Sequence, residues 1–229
     1  MIVQMRGSVQ VPLLALSVLL APNAFAEPPR TLITVVTADW KATTGELRRW
    51  ERDGKSWRAV GAPLPVVVGR SGLKWPADKR EGDGASPAGR FALGEATGYD
   101  AAPPHTRLPY RVATAALRCV DDARSPLYNR VAVADTGERM LRDDALYRYT
   151  VFVRHNDART PGMGSCIFLH VWSDARSPTV GCTAMALDDL RALLAWVDRS
   201  TELVQLPRAE YEARQRAWDL PPLDEGQRK

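Results

Sequence analysis

Helical periodicity is convincing at only one place in this sequence, which restricts the folds that the chain can adopt. Apolar side chains recur at helical spacing at Leu187, Leu190, Leu193, Leu194 and Val197. The other apolar runs are short, rich in β-branched residues and separated by loops with glycine and proline, as is typical of strands. They occur at residues 31–37, 46–50, 57–60, 65–69, 90–93, 131–134, 150–154, 166–172 and 202–206. The pattern predicts a single mainly β domain with some α structure rather than a wound sheet of alternating strands and helices.

Between these runs, the turn-forming residues predict how the chain is connected. The Asp-Gly pair at 53–54 separates two strand runs and predicts a hairpin. Residues 70–90 are rich in glycine, proline and charge and are expected to form a long loop. Residues 98–130 show little periodicity and are expected to be irregular. Residues 207–229 form a charged C-terminal tail, in which residues 208–218 could form a helix.

The first 26 residues have the pattern of an export signal peptide. Arg6 supplies the positive charge, residues 11–20 are mostly apolar and uncharged, and two alanines with one residue between them precede the expected cleavage before Glu27. A membrane anchor is the alternative, but a spanning helix needs about 20 apolar residues. We therefore expect residues 27–206 to form one sizeable domain, located in the periplasm or outside the cell, with no further membrane span.

The composition argues against a nucleic-acid partner. The chain has 31 basic and 27 acidic residues, a formal charge of +4, and signal cleavage would remove one arginine and no acidic residue. The charges are spread along the chain, without a lysine-rich run that has interleaved aromatic residues. A monomer is the default expectation for the oligomeric state.

Cys182 and His170 are the most informative pair of residues in the chain, which has only three cysteines and three histidines. Cys182 follows Gly181 and lies just before the predicted helix, whose N-terminal potential favours a thiolate. His170 ends a short apolar run that could hold its ring beside the thiol. Taken singly, the two residues could be a buried cysteine and a core histidine. Together they predict an activated thiol, because the imidazole can take the proton that makes sulfur nucleophilic.

Two blocks of the sequence resemble the L,D-transpeptidase catalytic domain (YkuD) family. The family signature of a histidine, a spacer and Ser/Thr-x-Gly-Cys is matched by His170 and by the TVGC stretch at 179–182. Residues 79–91 read KREGDGASPAGRF, similar to a family pattern that precedes the active site. The resemblance runs from about residue 31 to residue 206. It implies a β-sandwich catalytic domain with one helix after the nucleophile loop.

The resemblance also implies a reaction on peptidoglycan stem peptides. Cys182 would attack the carbonyl carbon of the third residue of a tetrapeptide stem, and His170 would be the general base, oriented by the Val171 carbonyl. The backbone N–H groups of Gly181 and Cys182 would stabilise the oxyanion. Transfer of the acyl group to an amine of a neighbouring stem would give a 3→3 cross-link. No cofactor is implied.

Further residues are expected to lie near the substrate. Thr179 belongs to the nucleophile motif, and Trp172 shares a strand face with His170 and could wall the pocket. His155 and Asn156 follow a predicted strand and could line the cleft, with a loop cap or turn as an equally good interpretation for Asn156.

Cys119 and Cys166 remain if Cys182 is catalytic. Two cysteines in an oxidising compartment favour a disulfide, and two buried thiols are the alternative. A zinc site built from Cys166, His170 and Cys182, with or without His155, is a less favoured interpretation, because the paired Cys-x-x-Cys spacing of structural sites is absent.

Three functions therefore compete at this stage. The leading prediction is an exported L,D-transpeptidase, and a close rival is a cysteine hydrolase of the same fold that acts on wall peptides or on a protein–wall linkage. The third is a wall-binding protein without turnover. It stays open because two positions depart from the family pattern. Ala184 stands where the family commonly has Arg or Asn, and Val180 stands where it often has His.

Overall fold

The computed structural model of this protein describes residues 30–102 and 105–223. The predicted signal peptide, residues 1–26, lies outside the described residues. Within the described ranges, no helix is long and apolar enough to cross a membrane.

The described chain contains fourteen strands and two helices. The strands are β1 (Thr31–Thr37), β2 (Thr44–Asp53), β3 (Ser56–Val67), β4 (Leu73–Lys74), β5 (Ser86–Pro87), β6 (Gly89–Gly98), β7 (Tyr110–Val112), β8 (Leu117–Val120), β9 (Arg130–Val133), β10 (Glu138–Arg139), β11 (Tyr149–Val153), β12 (Phe168–Val171), β13 (Thr183–Met185) and β14 (Glu202–Pro207). The helices are α1 (Leu187–Trp196) and α2 (Arg208–Arg214). The mainly β architecture, with a helix directly after the nucleophile loop, confirms the predicted fold class.

Eight of the strands form a closed ring of hydrogen-bonded neighbours. Their order is β11-β12-β13-β3-β2-β1-β14-β6, and β6 pairs again with β11, while β7 continues the sheet beyond β6. All seven residues of β1 are buried, and β1 lies between antiparallel β2 and parallel β14. A run of apolar and β-branched residues without alternation is what a strand covered on both faces requires. β1 is therefore a fully buried member of the ring, and the ring encloses most of the apolar core.

Helix α1 supports the strands that carry the candidate site. Its apolar stripe buries Leu190, Leu193 and Leu194, while two aspartates occupy its first turn, where the helix dipole favours negative charge. The helix packs against β11 and β12. Since β12 contains His170, the position of this histidine depends on the central core.

The structure differs from the sequence-based expectation in two places. Residues 57–60 and 65–69 were predicted as separate strands, but a single strand runs from Ser56 to Val67. Its pairing with β2 shifts register at the proline-containing segment between Val60 and Leu64, so the strand continues through that segment. Residues 98–130 are not wholly irregular, because β7 and β8 lie within them. Strands of three and four residues are too short to show a recognisable alternation. The predicted hairpin at residues 53–54 is confirmed.

The C-terminal segment packs onto the ring. Helix α2 occupies part of the stretch that was expected to be helical, and it places Tyr211 in the core. Beyond it, Leu220 and Leu223 are also buried. The Trp57 indole N–H donates to the Asp219 carbonyl oxygen over 2.7 Å. The residues after the predicted domain end at 206 therefore contribute to the same core.

A small second sheet, in the order β10-β8-β9, lies beside the ring and is joined to it by a disulfide. Cys119 in β8 is bonded to Cys166, two residues before β12 begins. This is the pairing that the cysteine count favoured. The bond links the small sheet directly to the chain segment that leads into the strand of His170.

We expect the disulfide to contribute substantially to stability, because it closes a loop with a sequence separation of 47 residues. The Cys119→Ser/Cys166→Ser variant should lose about 3–4 kcal/mol of unfolding free energy in urea titrations, mainly through the greater entropy of its unfolded chain. Reductant should lower the stability of the parent protein and leave the double variant unchanged. An unchanged urea midpoint in the double variant would contradict this prediction.

Candidate active site

The chain turns sharply just before Cys182, and Thr179 and Gly181 build this turn. The Thr179 N–H donates to the Val68 carbonyl oxygen over 2.9 Å, which anchors the turn to the end of β3. Gly181 has a φ of +147°, and a Cβ there would lie 3.2 Å from the Ala85 carbonyl oxygen. Both its backbone conformation and the close approach of residue 85 require glycine at this position.

Two hydroxyl groups hold the carbonyl oxygen of Cys182. The Thr179 hydroxyl donates to it over 2.6 Å, and the Ser86 hydroxyl donates to it over 2.7 Å. Each hydroxyl oxygen also accepts a backbone N–H: Thr179 from Gly181 at 3.1 Å and Ser86 from Gly69 at 2.9 Å. The side chain of Thr179 is thus occupied within the turn. Ser86 was not singled out from the sequence, although it belongs to the block at 79–91.

His170 lies on β12, which pairs in parallel with β13, the strand that follows Cys182. Its Nδ1 atom lies 2.7 Å from the Val171 carbonyl oxygen. A carbonyl oxygen can only accept, so Nδ1 carries the hydrogen and Nε2 keeps a free lone pair. Val171 therefore orients the ring and sets its tautomer.

The thiol of Cys182 is buried beside β12. Its sulfur accepts the Phe168 N–H over 3.3 Å and lies 3.5 Å from the Cys166 carbonyl oxygen. Burial, with a further contribution from the negative charge of Glu138, raises the pKa of Cys182 to about 12. Burial also lowers the pKa of His170 to about 4, against the opposing effect of its bond to Val171. At neutral pH the two groups are therefore an uncharged thiol and an uncharged imidazole.

Two cavities meet at Cys182. One has a volume of about 620 Å³ and is lined by Cys182, Arg70, Glu81 and Asp121 among others. The other has a volume of about 240 Å³ and contains Cys182, His170 and Trp172 in its lining. Cys182 therefore lines both lobes of one cleft, and His170 and Trp172 line the smaller lobe.

Glu138 and Tyr147 form the boundary between the two lobes, since both line each of them. The Tyr147 hydroxyl donates to a Glu138 carboxylate oxygen over 2.6 Å, and the tyrosine ring packs edge-on against the His170 ring at 5.3 Å between centroids. Burial raises the pKa of Glu138 despite the hydrogen bond from Tyr147. These two residues were missed from the sequence, because they lie in short segments without a motif.

A buried ion pair lies behind the turn at residues 179–182, which we call the nucleophile turn. Lys79 is 3% exposed, and its ammonium contacts an Asp83 carboxylate oxygen at 2.7 Å. Burial opposes ionisation of Asp83, but hydrogen bonds from Lys79 and from the backbone of Ala85 and Arg80 outweigh it and lower its pKa to about 2. The Lys79 charge is close enough to Cys182 to lower the thiol pKa in part. Lys79, in the block at 79–91, thus opposes the effect of Glu138 on the pKa of Cys182.

His155 and Asn156 lie behind the cleft wall instead of in it. His155 is buried, its Nε2 bonds the Met163 carbonyl at 2.9 Å, and burial lowers its pKa. The Asn156 side chain donates to the carbonyl oxygens of Thr160 and Gly164 and accepts the Thr160 N–H. All of these bonds are within its own loop, so the structure places Asn156 in a loop-capping position.

The residues of the alternative zinc site do not converge as a ligand set. The sulfur of Cys166 is bonded to Cys119, which removes a thiolate from the set. Among the described residues, no group of three or more His, Cys, Asp and Glu side chains could hold a metal ion.

The raised pKa of Cys182 has a direct kinetic consequence. Alkylation by iodoacetamide should accelerate about tenfold for each pH unit between pH 7 and 10, without a plateau, because the thiolate fraction grows tenfold per unit below the pKa. Intact-mass measurement would follow the reaction, with Cys182→Ala as the background. A plateau that is already reached below pH 7 would instead indicate a stable thiolate–imidazolium pair.

The hydroxyl of Thr179 is expected to stabilise the turn. Thr179→Val keeps the shape but leaves the Gly181 N–H and one bond to the Cys182 carbonyl without a partner. It should lower the free energy of unfolding by about 1–3 kcal/mol in urea titrations. Thr179→Ser keeps the hydroxyl and should remain close to the parent protein. Equal losses in both variants would mean that the methyl group, not the hydroxyl, is important.

Comparisons with known proteins give similarities at the level of single domains. A solved structure of Bd1075 from Bdellovibrio bacteriovorus is 16% identical with a TM-score of 0.45, covering 83% of this chain and 55% of that chain. The helical cell shape determining protein Pgp2 from Campylobacter jejuni is 13% identical with a TM-score of 0.44, covering 79% of this chain and 49% of that one. The chain thus spans about half the length of these proteins. No curated protein matches it significantly.

The family comparison covers most of the chain. The family model described as the L,D-transpeptidase catalytic domain, YkuD, matches residues 33–206, a range that contains the nucleophile turn, β12 and the block at 79–91. The chain belongs to the L,D-transpeptidase catalytic domain (YkuD) family.

Proposed function

We propose that this protein is an exported, cysteine-dependent peptidoglycan L,D-transpeptidase. The observation that carries the proposal is the placement of Cys182 where two lobes of one cleft meet, with an oriented His170 lining one of them. A transpeptidase must accommodate two peptides at one nucleophile, whereas a hydrolase needs room for one peptide and a water molecule.

The first step of the proposed reaction forms a thioester. The Cys182 sulfur attacks the carbonyl carbon of the third stem residue while its proton moves to Nε2 of His170. The tetrahedral intermediate then collapses, the bond to the terminal D-alanine nitrogen breaks, and the imidazolium returns the proton to the leaving amine. Because thiol and imidazole are both neutral at rest, the proton transfer accompanies the attack and does not precede it.

The oxyanion of the intermediate requires donors close to the nucleophile. The Gly181 N–H already donates to the Thr179 hydroxyl, so we assign the principal role to the Cys182 N–H. Gly181 can contribute only if its bond to Thr179 lengthens. The positive charge of Lys79 behind the turn would favour negative charge at the same place.

The second step transfers the acyl group to an amine. The larger lobe is lined by three carboxylates, those of Glu81, Asp121 and Glu138, against the single guanidinium of Arg70. Such a lining favours a ligand with an ammonium group, as an acceptor stem with a free side-chain amine would have. The acceptor attacks as the free amine, after its ammonium has lost one proton to solvent. As the amine attacks the thioester, His170 takes its next proton, the carbon–sulfur bond breaks, and the imidazolium returns the proton to the Cys182 sulfur, which leaves a 3→3 cross-link.

Two features support export. The segment over residues 1–26 has the pattern of a cleavable signal, and the Cys119–Cys166 disulfide is of the kind that persists where thiols oxidise. Both fit a protein that acts on the cell wall from the periplasm or from the cell exterior.

The test is incubation of the mature protein with disaccharide-tetrapeptide, followed by chromatography and mass measurement of the products. We expect release of D-alanine and 3→3 dimers, with at least a 1000-fold loss of both in Cys182→Ala, because no other group is placed to form the thioester. Arg199→Gln, a change at an exposed site in the turn that follows α1, serves as the control and should retain activity.

The products distinguish the competing functions. Tripeptide without dimers would replace the transpeptidase by a hydrolase of the same fold. An absence of both products, together with no mass adduct on Cys182, would favour a wall-binding protein without turnover.

A further inference from the structure

A separate cavity of about 340 Å³ lies outside the catalytic cleft and has an excess of positive charge in its lining. Four guanidinium groups and two carboxylates line it, those of Arg111, Arg130, Arg154, Arg159, Glu95 and Asp157. The formal excess is therefore two positive charges. A concave site with several arginine side chains suits an oxyanion, because the planar guanidinium matches the geometry of a carboxylate or a phosphate.

Two of the four arginines are neutralised by the carboxylates of the same cavity. Arg111 donates to Glu95 through two nitrogen atoms, and one of these also contacts the Val131 carbonyl oxygen at 3.0 Å. Arg154 contacts Asp157 with its Nε atom at 3.1 Å and with a terminal nitrogen at 2.5 Å. These pairs line the rim of the cavity and leave the net charge to the other two arginines.

The charges of Arg130 and Arg159 are not compensated. Arg159 donates to the Pro126 carbonyl oxygen over 3.1 Å, and this acceptor has no charge. Arg130 is exposed on β9, and no hydrogen bond or ion pair to its guanidinium is found within residues 30–102 and 105–223. Both groups can therefore bind a ligand without first breaking an ion pair.

The backbone around the cavity is shaped by two irregular features. The pairing of β6 with β11 shifts register between Val151 and Val153, so that Gly94 and Glu95 bulge opposite Phe152. Arg159 has a φ of +56°, in the left-handed region that is uncommon for residues other than glycine. Its N–H donates to the Asn156 carbonyl oxygen over 2.8 Å, so the loop capped by Asn156 holds Arg159 in this conformation.

The cavity shares a wall with the catalytic cleft. Asn129 lines the cavity, its side-chain oxygen accepts the Cys166 N–H over 3.0 Å, and Cys166 lines the larger lobe of the cleft. The Asn129 amide also donates to the carbonyl oxygens of His155 and Asn156. The arginine-lined cavity and the larger lobe therefore lie on either side of the contact between Asn129 and Cys166.

We propose that this cavity binds a free carboxylate of a peptidoglycan peptide whose reacting part occupies the adjacent cleft, with Arg130 and Arg159 as the principal contacts. The identity of the ligand rests on the proposed function. The anion-binding chemistry rests on the cavity and its two uncompensated guanidinium groups. Stem peptides have several carboxylates, and the shared wall favours them over a phosphate polymer that has no part in the cleft.

The test is isothermal titration with disaccharide-tetrapeptide in a Cys182→Ala background, so that binding is measured without turnover. The Arg130→Gln/Arg159→Gln pair of substitutions should weaken Kd by about fivefold or more, the effect of losing even one modest charge pair. Arg199→Gln, in the same background, removes an exposed positive charge elsewhere and should leave Kd unchanged. A tetrapeptide with amidated carboxylates should bind the background protein and the double variant equally.

An equal Kd for tetrapeptide in the background protein and in the double variant would overturn the proposal. Arginine-dependent binding of poly(glycerol phosphate), without arginine-dependent binding of tetrapeptide, would also overturn it and assign the cavity to a phosphate polymer. Arginine-dependent binding of tetrapeptide to a protein whose Cys182-containing form yields no product would support the site and contradict only the proposed transpeptidase activity.

Discussion

The geometry of the candidate site depends on a single carbonyl oxygen, that of Cys182. Thr179 and Ser86 both donate hydroxyl hydrogens to it. The Thr179 hydroxyl also accepts the Gly181 N–H within the turn, and the Ser86 hydroxyl accepts the Gly69 N–H just after β3. The turn is thereby fixed to the end of β3 and to the block at 79–91. Since the carbonyl and the sulfur belong to the same residue, the sulfur can point toward β12 in only a few orientations. The fold therefore positions this thiol more than it activates it electrostatically.

The charges around the sulfur act in opposite directions. Glu138 raises the pKa of Cys182 and Lys79 lowers it, while burial dominates both. Each of these charges is held by a hydrogen-bonded partner, Tyr147 for Glu138 and Asp83 for Lys79. In the proposed reaction, the neutral thiol gives its proton to His170 and negative charge develops on the oxyanion, near the turn that Lys79 supports. The arrangement keeps the resting thiol neutral and favours the charge distribution that follows the attack.

The sequence was sufficient to predict residues that act through local motifs, and insufficient for those that act through long-range contacts. Cys182 and His170 lie within a short stretch that matches the family signature, and the resemblance to the family implied the role of Val171. Ser86 is 96 residues away from the carbonyl that it holds, and its role becomes visible only when the ring of strands closes. Glu138 begins the two-residue strand β10, and Tyr147 lies two residues before the five-residue strand β11. Strands this short have no periodicity to reveal which side chains face the cleft.

His155 and Asn156 illustrate positions for which the sequence left the cleft and a loop cap open. Their position after a strand suggested the cleft, yet the loop that they begin turns back on itself, and the polar atoms of Asn156 are used by that loop. A polar residue at a strand end can serve either a ligand or its own backbone, and the sequence does not distinguish these uses. Here the loop has a structural purpose, because it holds Arg159 at the rim of the arginine-lined cavity.

A free thiol close to a disulfide can undergo thiol–disulfide exchange, and burial of the thiol suppresses this reaction. Cys182, Cys119 and Cys166 belong to the same apolar cluster, and thiol–disulfide exchange would destroy both the nucleophile and the link between the two sheets. Exchange requires a thiolate. With a pKa of about 12, only on the order of one Cys182 side chain in 10⁵ is ionised at pH 7. A preformed thiolate would be more reactive toward a substrate, but also toward the neighbouring disulfide. Burial thus keeps the resting thiol neutral, and in the proposed reaction a base that acts only during the attack is compatible with this state.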